Sequence, residues 1–328
     1  MERVSRCVGY DDAVVYAIAL FTGGLNGSTA WCCSGIVASP MTSPIVTVLL
    51  PVYNGERYLR EAVESILTQT LESFELLIVD DGATDGTEAI CRSFTDPRLR
   101  VHRYEKNTGL IFALNAGIDL IRTKYVARMD ADDVALPSRL ALQVAFLESR
   151  PDIAACGCWL VELVDGRLRD VMRRPTGEYL RQTAWRPVPI FNPTACLRTE
   201  VLRELRYRAD FPHAEDYDFW LRLCRQHRID NVPAVLLHYR IHQASVSRTY
   251  RSTQLMNSWR TFREHFPAID VALEDFETLT GVSCEAPPLT RMQLKRRWRK
   301  ELFGTFAASA RDDLWYAARW LRARVRGR

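Results

Sequence analysis

From Ile45 onward, apolar and polar positions alternate in a regular rhythm. Ile45-Val46-Thr47-Val48-Leu49-Leu50 is β-branched and almost wholly apolar, the profile of a strand buried on both faces, and Pro51 is expected to end it. Leu59, Ala62, Val63, Ile66 and Leu67 then recur at helical spacing on one face. Phe74 to Val79 reads as a second strand running into Asp80-Asp81-Gly82, and Thr84 or Asp85 can cap a helix that reaches Phe94. Leu99 to Tyr104 is a third strand, interleaved with basic residues. Leu110, Ala113, Leu114, Gly117, Ile118 and Ile121 mark the next helix. Tyr125 to Met129 is a fourth strand, followed by Asp130-Ala131-Asp132-Asp133. Pro137 suits the first turn of the following helix, and Ile153 to Cys158 is a fifth strand.

Strand and helix therefore alternate four times in about 110 residues, the pattern of an α/β fold: a mostly parallel central sheet flanked by helices. Such sheets bind ligands beyond the carboxyl ends of their strands. Three of those ends are polar here: Tyr53-Asn54, Asp80-Asp81-Gly82 and Asp130-Ala131-Asp132-Asp133. Five carboxylates would meet at one edge and repel one another unless a cation or a donor-rich ligand sits between them. Asp and Gly are also ordinary turn formers. Two acidic clusters on the strand ends of one sheet nevertheless favour a site. No Gly-x-Gly-x-x-Gly and no Gly-x-x-x-x-Gly-Lys-Ser/Thr occurs, which disfavours a dehydrogenase or a phosphate-loop NTPase. An acidic site would hold a phosphate through a hard divalent cation, Mn²⁺ or Mg²⁺, rather than through lysines.

Composition adds limits. The chain has 328 residues, 47% apolar and 26% charged, enough for one large domain or two modest ones. No apolar run approaches the ~20 residues of a spanning helix. Nine cysteines without a Cys-x-x-Cys pair read as free thiols in a reducing compartment, the cytoplasm. Cys156-x-Cys158 reads as alternate faces of a strand. Residues 1–44 lack periodicity and read as a poorly ordered leader, with translation starting at Met41 as the sharper alternative. The net charge of +4 hides an asymmetry: Pro288 to Arg328 holds 12 basic and 3 acidic residues, and the rest of the chain is net −5.

In series, Val46 to Asn54, Ile78-Val79-Asp80-Asp81-Gly82, Asn107-Thr108-Gly109 with Ala113 to Gly117, and Met129 to Asp133 resemble the family 2 glycosyltransferases. The resemblance spans residues 45–245 and implies a GT-A fold that binds a nucleotide-diphospho-sugar. Ala83 departs from the serine usual after Asp-Asp-Gly. The resemblance implies that Pro51, Tyr53, Asp80, Asp81 and Asn107 belong to the donor nucleotide's site, with Pro51, Tyr53 and Asp81 at its base and ribose. It implies that Asp130 lies near the ribose and Asp132 near a metal bridging the phosphates. Asp133 is expected to open the next helix, where its charge suits the dipole.

In His213-Ala214-Glu215-Asp216-Tyr217-Asp218, the resemblance implies that Asp216 is the catalytic base and Glu215 a nearby contact, with Asp218 a further carboxylate to test. An acceptor hydroxyl must lose its proton as it attacks, and a carboxylate within reach can take it. Acidic residues also suit the first turn of any helix. His242 is implied as a metal ligand and Arg240 as a second cation at the diphosphate. Arg319-Trp320, with Tyr316 where a processive synthase carries Gln, points to addition of one or few sugars per encounter.

Residues 45–140 are then the donor half and 141–245 the acceptor half, with 246–328 a helical, basic extension. Lys295 to Lys300 and Leu314 to Arg328 interleave basic residues with tryptophan and leucine. They fit docking to an anionic membrane surface near a glycan or lipid-linked acceptor, on the inner face of the cytoplasmic membrane. A solvated helix packed on the catalytic domain is the alternative, and no nucleic-acid partner is expected. The expected activity is metal-dependent, inverting sugar transfer in envelope polysaccharide, O-antigen or other glycan assembly. The alternatives are a sugar-phosphate nucleotidyltransferase, which would carry a Gly-rich loop after the first strand, and a silent scaffold, which would lack Asp132 or Asp216.

Overall fold

Val46–Val52 (β1) is buried along its whole length because it is paired on both edges and covered on both faces. The computed structural model describes residues 43–177, 180, 189–242, 249–267 and 271–280. Residues 1–42 of the expected leader, Met41 among them, residues 243–247 and the basic segments Lys295 to Lys300 and Leu314 to Arg328 lie outside the described residues. After β1 come α1 (Leu59–Leu67), β2 (Phe74–Asp80), α2 (Thr87–Arg92), β3 (Leu99–Arg103), α3 (Leu110–Leu120), β4 (Tyr125–Arg128) and β5 (Val134–Ala135). Then follow α4 (Arg139–Ser149), β6 (Ile153–Val164), β7 (Arg167–Met172), a 3₁₀ turn at Asn192–Thr194 and β8 (Cys196–Arg198). The described residues continue with α5 (Thr199–Leu205), α6 (Glu215–Gln226), β9 (Arg228–Ile241), α7 (Arg251–His265) and α8 (Leu273–Thr280).

The first half is the expected parallel ladder, in the order β3-β2-β1-β4. Alternate residues of its strands face opposite layers. Val46, Val48, Leu50, Leu76 and Ile78 pack with Leu59, Ala62, Val63 and Ile66 of α1 and Leu140, Val144 and Leu147 of α4. Leu49, Leu77 and Val79 pack on the other side with Ala113, Leu114 and Ile118 of α3, Val201 and Leu202 of α5, and Phe219, Trp220 and Leu223 of α6. The helices therefore lie on both faces, as the alternation predicted.

Pro51 does not end β1; it lies inside it, opposite Val79. The Leu49 carbonyl accepts from the Met129 amide at 3.1 Å and the Val52 carbonyl from the Asp81 amide at 2.9 Å. Backbone groups alternate sides, so the proline nitrogen faces the β4 side, beyond the last paired residues Leu49 and Arg128. A missing N–H loses nothing there. Pro137 lies in the turn before α4, not in its first turn, and Ser138 is the N-cap.

The second half is mixed. β8 runs antiparallel between β4 and β6, β9 is parallel to β6, and β5 and β7 attach antiparallel to β9 and β6. Cys156 and Cys158, two positions apart, share one face, not alternate faces, and join Cys196 in the same core cluster. These three, Cys91 and Cys224 are free thiols. The pairing of Val134 with His238 brings the end of β9 against the Asp130–Asp133 turn. α7 and α8 cover α6 through Phe262, Val271 and Phe276 on Tyr217 and Leu221. Among the described residues, no helix is long and apolar enough to cross a membrane.

Gly82 has φ +71°, and a Cβ added there would lie 2.4 Å from the Lys106 carbonyl carbon and 2.8 Å from the Asn107 nitrogen. Gly166, in the β6–β7 turn, has φ +72° with open space around it. Both positions favour glycine, but only the first also meets backbone. Gly166→Ala should cost about 1 kcal/mol and Gly82→Ala at least about 2 kcal/mol. Urea melts of both variants check the difference; equal losses would show that the contact with residues 106–107 is relieved cheaply.

Candidate active site

The ladder register brings the polar strand ends together. Val52 lies opposite Asp80, and β4 runs along the other side of β1, so residues 53–54, 80–82 and 130–133 share one edge. Tyr53 is 49% exposed there, whereas Pro51 is buried. Asn54, at φ 52°, accepts the Thr84 amide on its side-chain oxygen at 2.9 Å. Asp85 accepts the Thr87 amide at 3.0 Å and so closes the start of α2.

Asp80 and Asp81 are both buried, and the chain itself uses their carboxylates. Asp80 accepts the Ala83 amide at 2.8 Å and pairs with Arg103 at 2.7 Å. Asp80 thus closes a turn, and the Ala83 amide makes that turn bond although Ala83 has no hydroxyl. Asp81 accepts from the Thr108 amide at 2.9 Å, the Thr108 hydroxyl at 2.7 Å and the Gly109 amide at 2.8 Å. Asp81 therefore fastens the loop that carries Asn107, itself exposed, to the end of β2.

Asp130, Asp132 and Asp133 offer carboxylate oxygens that all lie within 4.8 Å of one another. Asp133 does not open a helix, as the sequence reading had it. It leads into β5, is fully buried, and accepts the Arg240 amide on Oδ1 at 2.9 Å, while its buried Oδ2 has no hydrogen-bond partner. Burial, then the charges of Asp130 and Asp132, push the Asp133 carboxyl well above the usual carboxylate range. Burial and Asp130 raise Asp132 too, and His242 opposes the shift. An orphaned buried oxygen among hard oxygen donors fits a divalent cation such as Mn²⁺ or Mg²⁺.

The groups around this cluster are basic. His242 Nε2 lies 2.8 Å from Asp132 Oδ2, so the two expected metal ligands meet. Arg240 is tied to the same turn. Its Nε donates to the Asp132 carbonyl at 2.7 Å, its guanidinium pairs with Glu61, and it lies 4.5 Å over the Tyr58 ring. Tyr58 also packs on His242, with centroids 5.2 Å apart. Arg128, buried on β4, pairs with Asp130, and its Nε is buried without a hydrogen-bond partner. Sequence reasoning missed Arg128 and Tyr58. An arginine inside the apolar run of β4 was the available signal for the first; a tyrosine ahead of α1 gave none for the second.

Glu215 and Asp216 begin α6. Burial, then the Asp216 charge, push the Glu215 carboxyl up to about 7, while backbone amides of Glu215 and His213 and the Arg128 charge oppose the shift. Desolvation likewise raises Asp216, against the Tyr217 amide and Arg128. Asp218 differs. Burial opposes its charge, but His265, Arg208 and Arg222 hold it ionised at about 2, so it is a structural anchor and not a spare base. The site thus combines a set of hard oxygens at the sheet edge with a buried carboxylate pair of raised basicity, and Arg128 acts electrostatically on both.

Comparison with known proteins agrees with this arrangement. The family profile Glycosyl transferase family 2 matches residues 47–206. An uncharacterized glycosyltransferase of Haemophilus influenzae is 33% identical over 240 residues, 68% of this chain and 73% of that protein. The O-antigen biosynthesis glycosyltransferase WbnJ of Escherichia coli is 30% identical, over 62% of this chain and 83% of its own length. The fold is also that of the mannosyltransferase PcManGT from Pyrobaculum calidifontis, solved with GDP-Man and Mn²⁺. The TM-score is 0.57 at 18% identity, over 94% of this chain and 88% of that one. That likeness places the sheet and its helices among the GT-A glycosyltransferases, and the sequence match across 47–206 and beyond it makes this chain a member of glycosyl transferase family 2.

Proposed function

We propose that this glycosyltransferase moves a sugar from a nucleoside-diphosphate donor to an acceptor hydroxyl in one inverting displacement assisted by a divalent cation. The observation that carries the reading is the Asp130–Asp132–Asp133 oxygen cluster with its orphaned Asp133 Oδ2. The donor and ion named for PcManGT, GDP-Man and Mn²⁺, support it. Asp132, Asp133 and His242 would hold the cation, and Asp130 would meet the ribose. A bound cation supplies positive charge to the leaving diphosphate. Tyr53 and Asn107 would line the nucleotide side over the buried Pro51, and Asp81 would act there through the loop it fastens. Residues 45–140 serve the donor and 141–245 the acceptor.

On the acceptor side, Asp216 takes the proton of the attacking hydroxyl while its oxygen forms the new bond to the anomeric carbon. The bond from that carbon to the diphosphate oxygen breaks on the opposite face, so configuration inverts. Glu215 orients the acceptor. The name of WbnJ supports an acceptor in O-antigen or related envelope polysaccharide assembly, a glycan or a lipid-linked one. The basic segments Lys295 to Lys300 and Leu314 to Arg328, outside the described residues, would dock on an anionic membrane surface.

Three outcomes test the reading. Asp132→Ala, or EDTA treatment of the wild type, should abolish turnover in a panel of nucleotide-sugars with Mn²⁺ or Mg²⁺; full activity in chelated protein contradicts it. Asp216→Asn keeps size and most hydrogen bonding but cannot take a proton, so kcat should fall ~10²–10⁴-fold with donor binding little changed. Product NMR should give a β-linkage from an α-linked donor, and a retained configuration would refute the single displacement.

A further outcome concerns pH. The folded Glu215 titrates at about 7 against an ordinary 4.5, so between those values the native state holds the extra proton and stability falls as pH rises. Glu215→Gln removes that penalty. It should be more stable than wild type by on the order of 1–3 kcal/mol near pH 8, and about equal below pH 4. Thermal melts across pH check this, and a pH-independent difference would place the cause elsewhere.

A further inference from the structure

We infer that the stacked rings of His213 and Tyr250 form an acceptor subsite that takes the C–H face of a pyranose ring. The two rings lie 4.1 Å apart and within 10° of parallel, and Tyr250 is 46% exposed. Tyr250 is the N-cap residue of α7, and His213 immediately precedes the N-cap residue of α6. The pair is held from both sides: the Asn257 side chain of α7 donates to the Pro212 carbonyl at 2.9 Å, and the His213 amide faces the Glu215 carboxylate.

His213 adopts φ 65°, a left-handed conformation uncommon outside glycine and one that accumulates at functional sites. That turn directs its amide toward Glu215 and leaves its ring on Tyr250. The platform therefore belongs to the base side of the active site and not to the sheet edge where Tyr53 stands. Its chemistry is flat, aromatic and uncharged, since burial lowers the His213 pKa and favours the neutral ring. An aromatic face is electron-rich, so it attracts the weakly positive C–H groups that a pyranose presents on one side, and it offers little to an anion. The subsite rests on the transfer reaction proposed above, and the test separates the two.

Saturation-transfer NMR would use the α- and β-methyl glycosides of glucose, galactose, mannose and N-acetylglucosamine, each with UDP or GDP and Mn²⁺. At least one glycoside should bind the wild type. Tyr250→Ala should weaken that binding about 3- to 10-fold, and Tyr250→Phe, which keeps the ring, should stay within about twofold. Nucleotide affinity on the same samples reports on the donor half separately. Equal glycoside affinity in Tyr250→Ala, or Tyr250→Phe as weak as Tyr250→Ala, would overturn the subsite while the transfer reading stands. So would nucleotide binding by a wild type that takes none of the glycosides. Binding of neither nucleotide nor glycoside would overturn both.

Discussion

Three carboxylates whose oxygens meet within 4.8 Å, one of them fully buried, cannot all be ionised without opposite charge close by. Much of the surrounding structure answers that constraint. Arg128 pairs with Asp130, His242 meets Asp132, and Arg240 holds the turn through its backbone amide and side chain. Tyr58 in turn supports both Arg240 and His242 with one ring. Even so, the Asp133 Oδ2 has no hydrogen-bond partner. The fold thus holds a concentration of negative charge that its own basic groups offset only in part, and a divalent cation would complete it.

The sheet makes this concentration possible. β1 is the axis: its pairing with β2 and β4 sets their acidic ends on either side of its own, and its apolar faces hold the helices that fix the register. The second half brings the remaining pieces by longer routes. β9 runs beside β6 and delivers Arg240 and His242 to the acidic turn, and α6 presents Glu215 and Asp216 where the Arg128 charge reaches them. Arg128 therefore links Asp130 to the Glu215–Asp216 carboxylates from a single buried position.

The parallel half was legible in the sequence because burial on both faces leaves uninterrupted β-branched runs, as in Val46 to Leu50. The mixed half was less so, since β8 is three residues long and β9 includes a proline and several polar residues. Pro51 misled because a proline is acceptable in a central strand only where a neighbour has stopped pairing, which is a tertiary fact. The site was legible as a set of motifs, but their division of labour was not. Asp80 and Asp81 read as ligand contacts, and a carboxylate one or two residues before a glycine turn is also suited to fastening that turn and its neighbouring loop. Asp133 read as a helix start because nothing local reveals that a two-residue strand follows it. Asp218 carries the same charge as Asp216 two positions away, but the helix turns it toward Arg208, Arg222 and His265.

The central claim is that the acidic turn is built to receive a divalent cation, and Mn²⁺ affinity measured by electron paramagnetic resonance with UDP or GDP present tests it most directly. The account predicts that Asp133→Asn, which keeps the Oδ1 acceptor for Arg240 but removes the charge, weakens Mn²⁺ binding at least about tenfold. That corresponds to about 1.4 kcal/mol or more. Mn²⁺ affinity in Asp133→Asn equal to that of the wild type would contradict it.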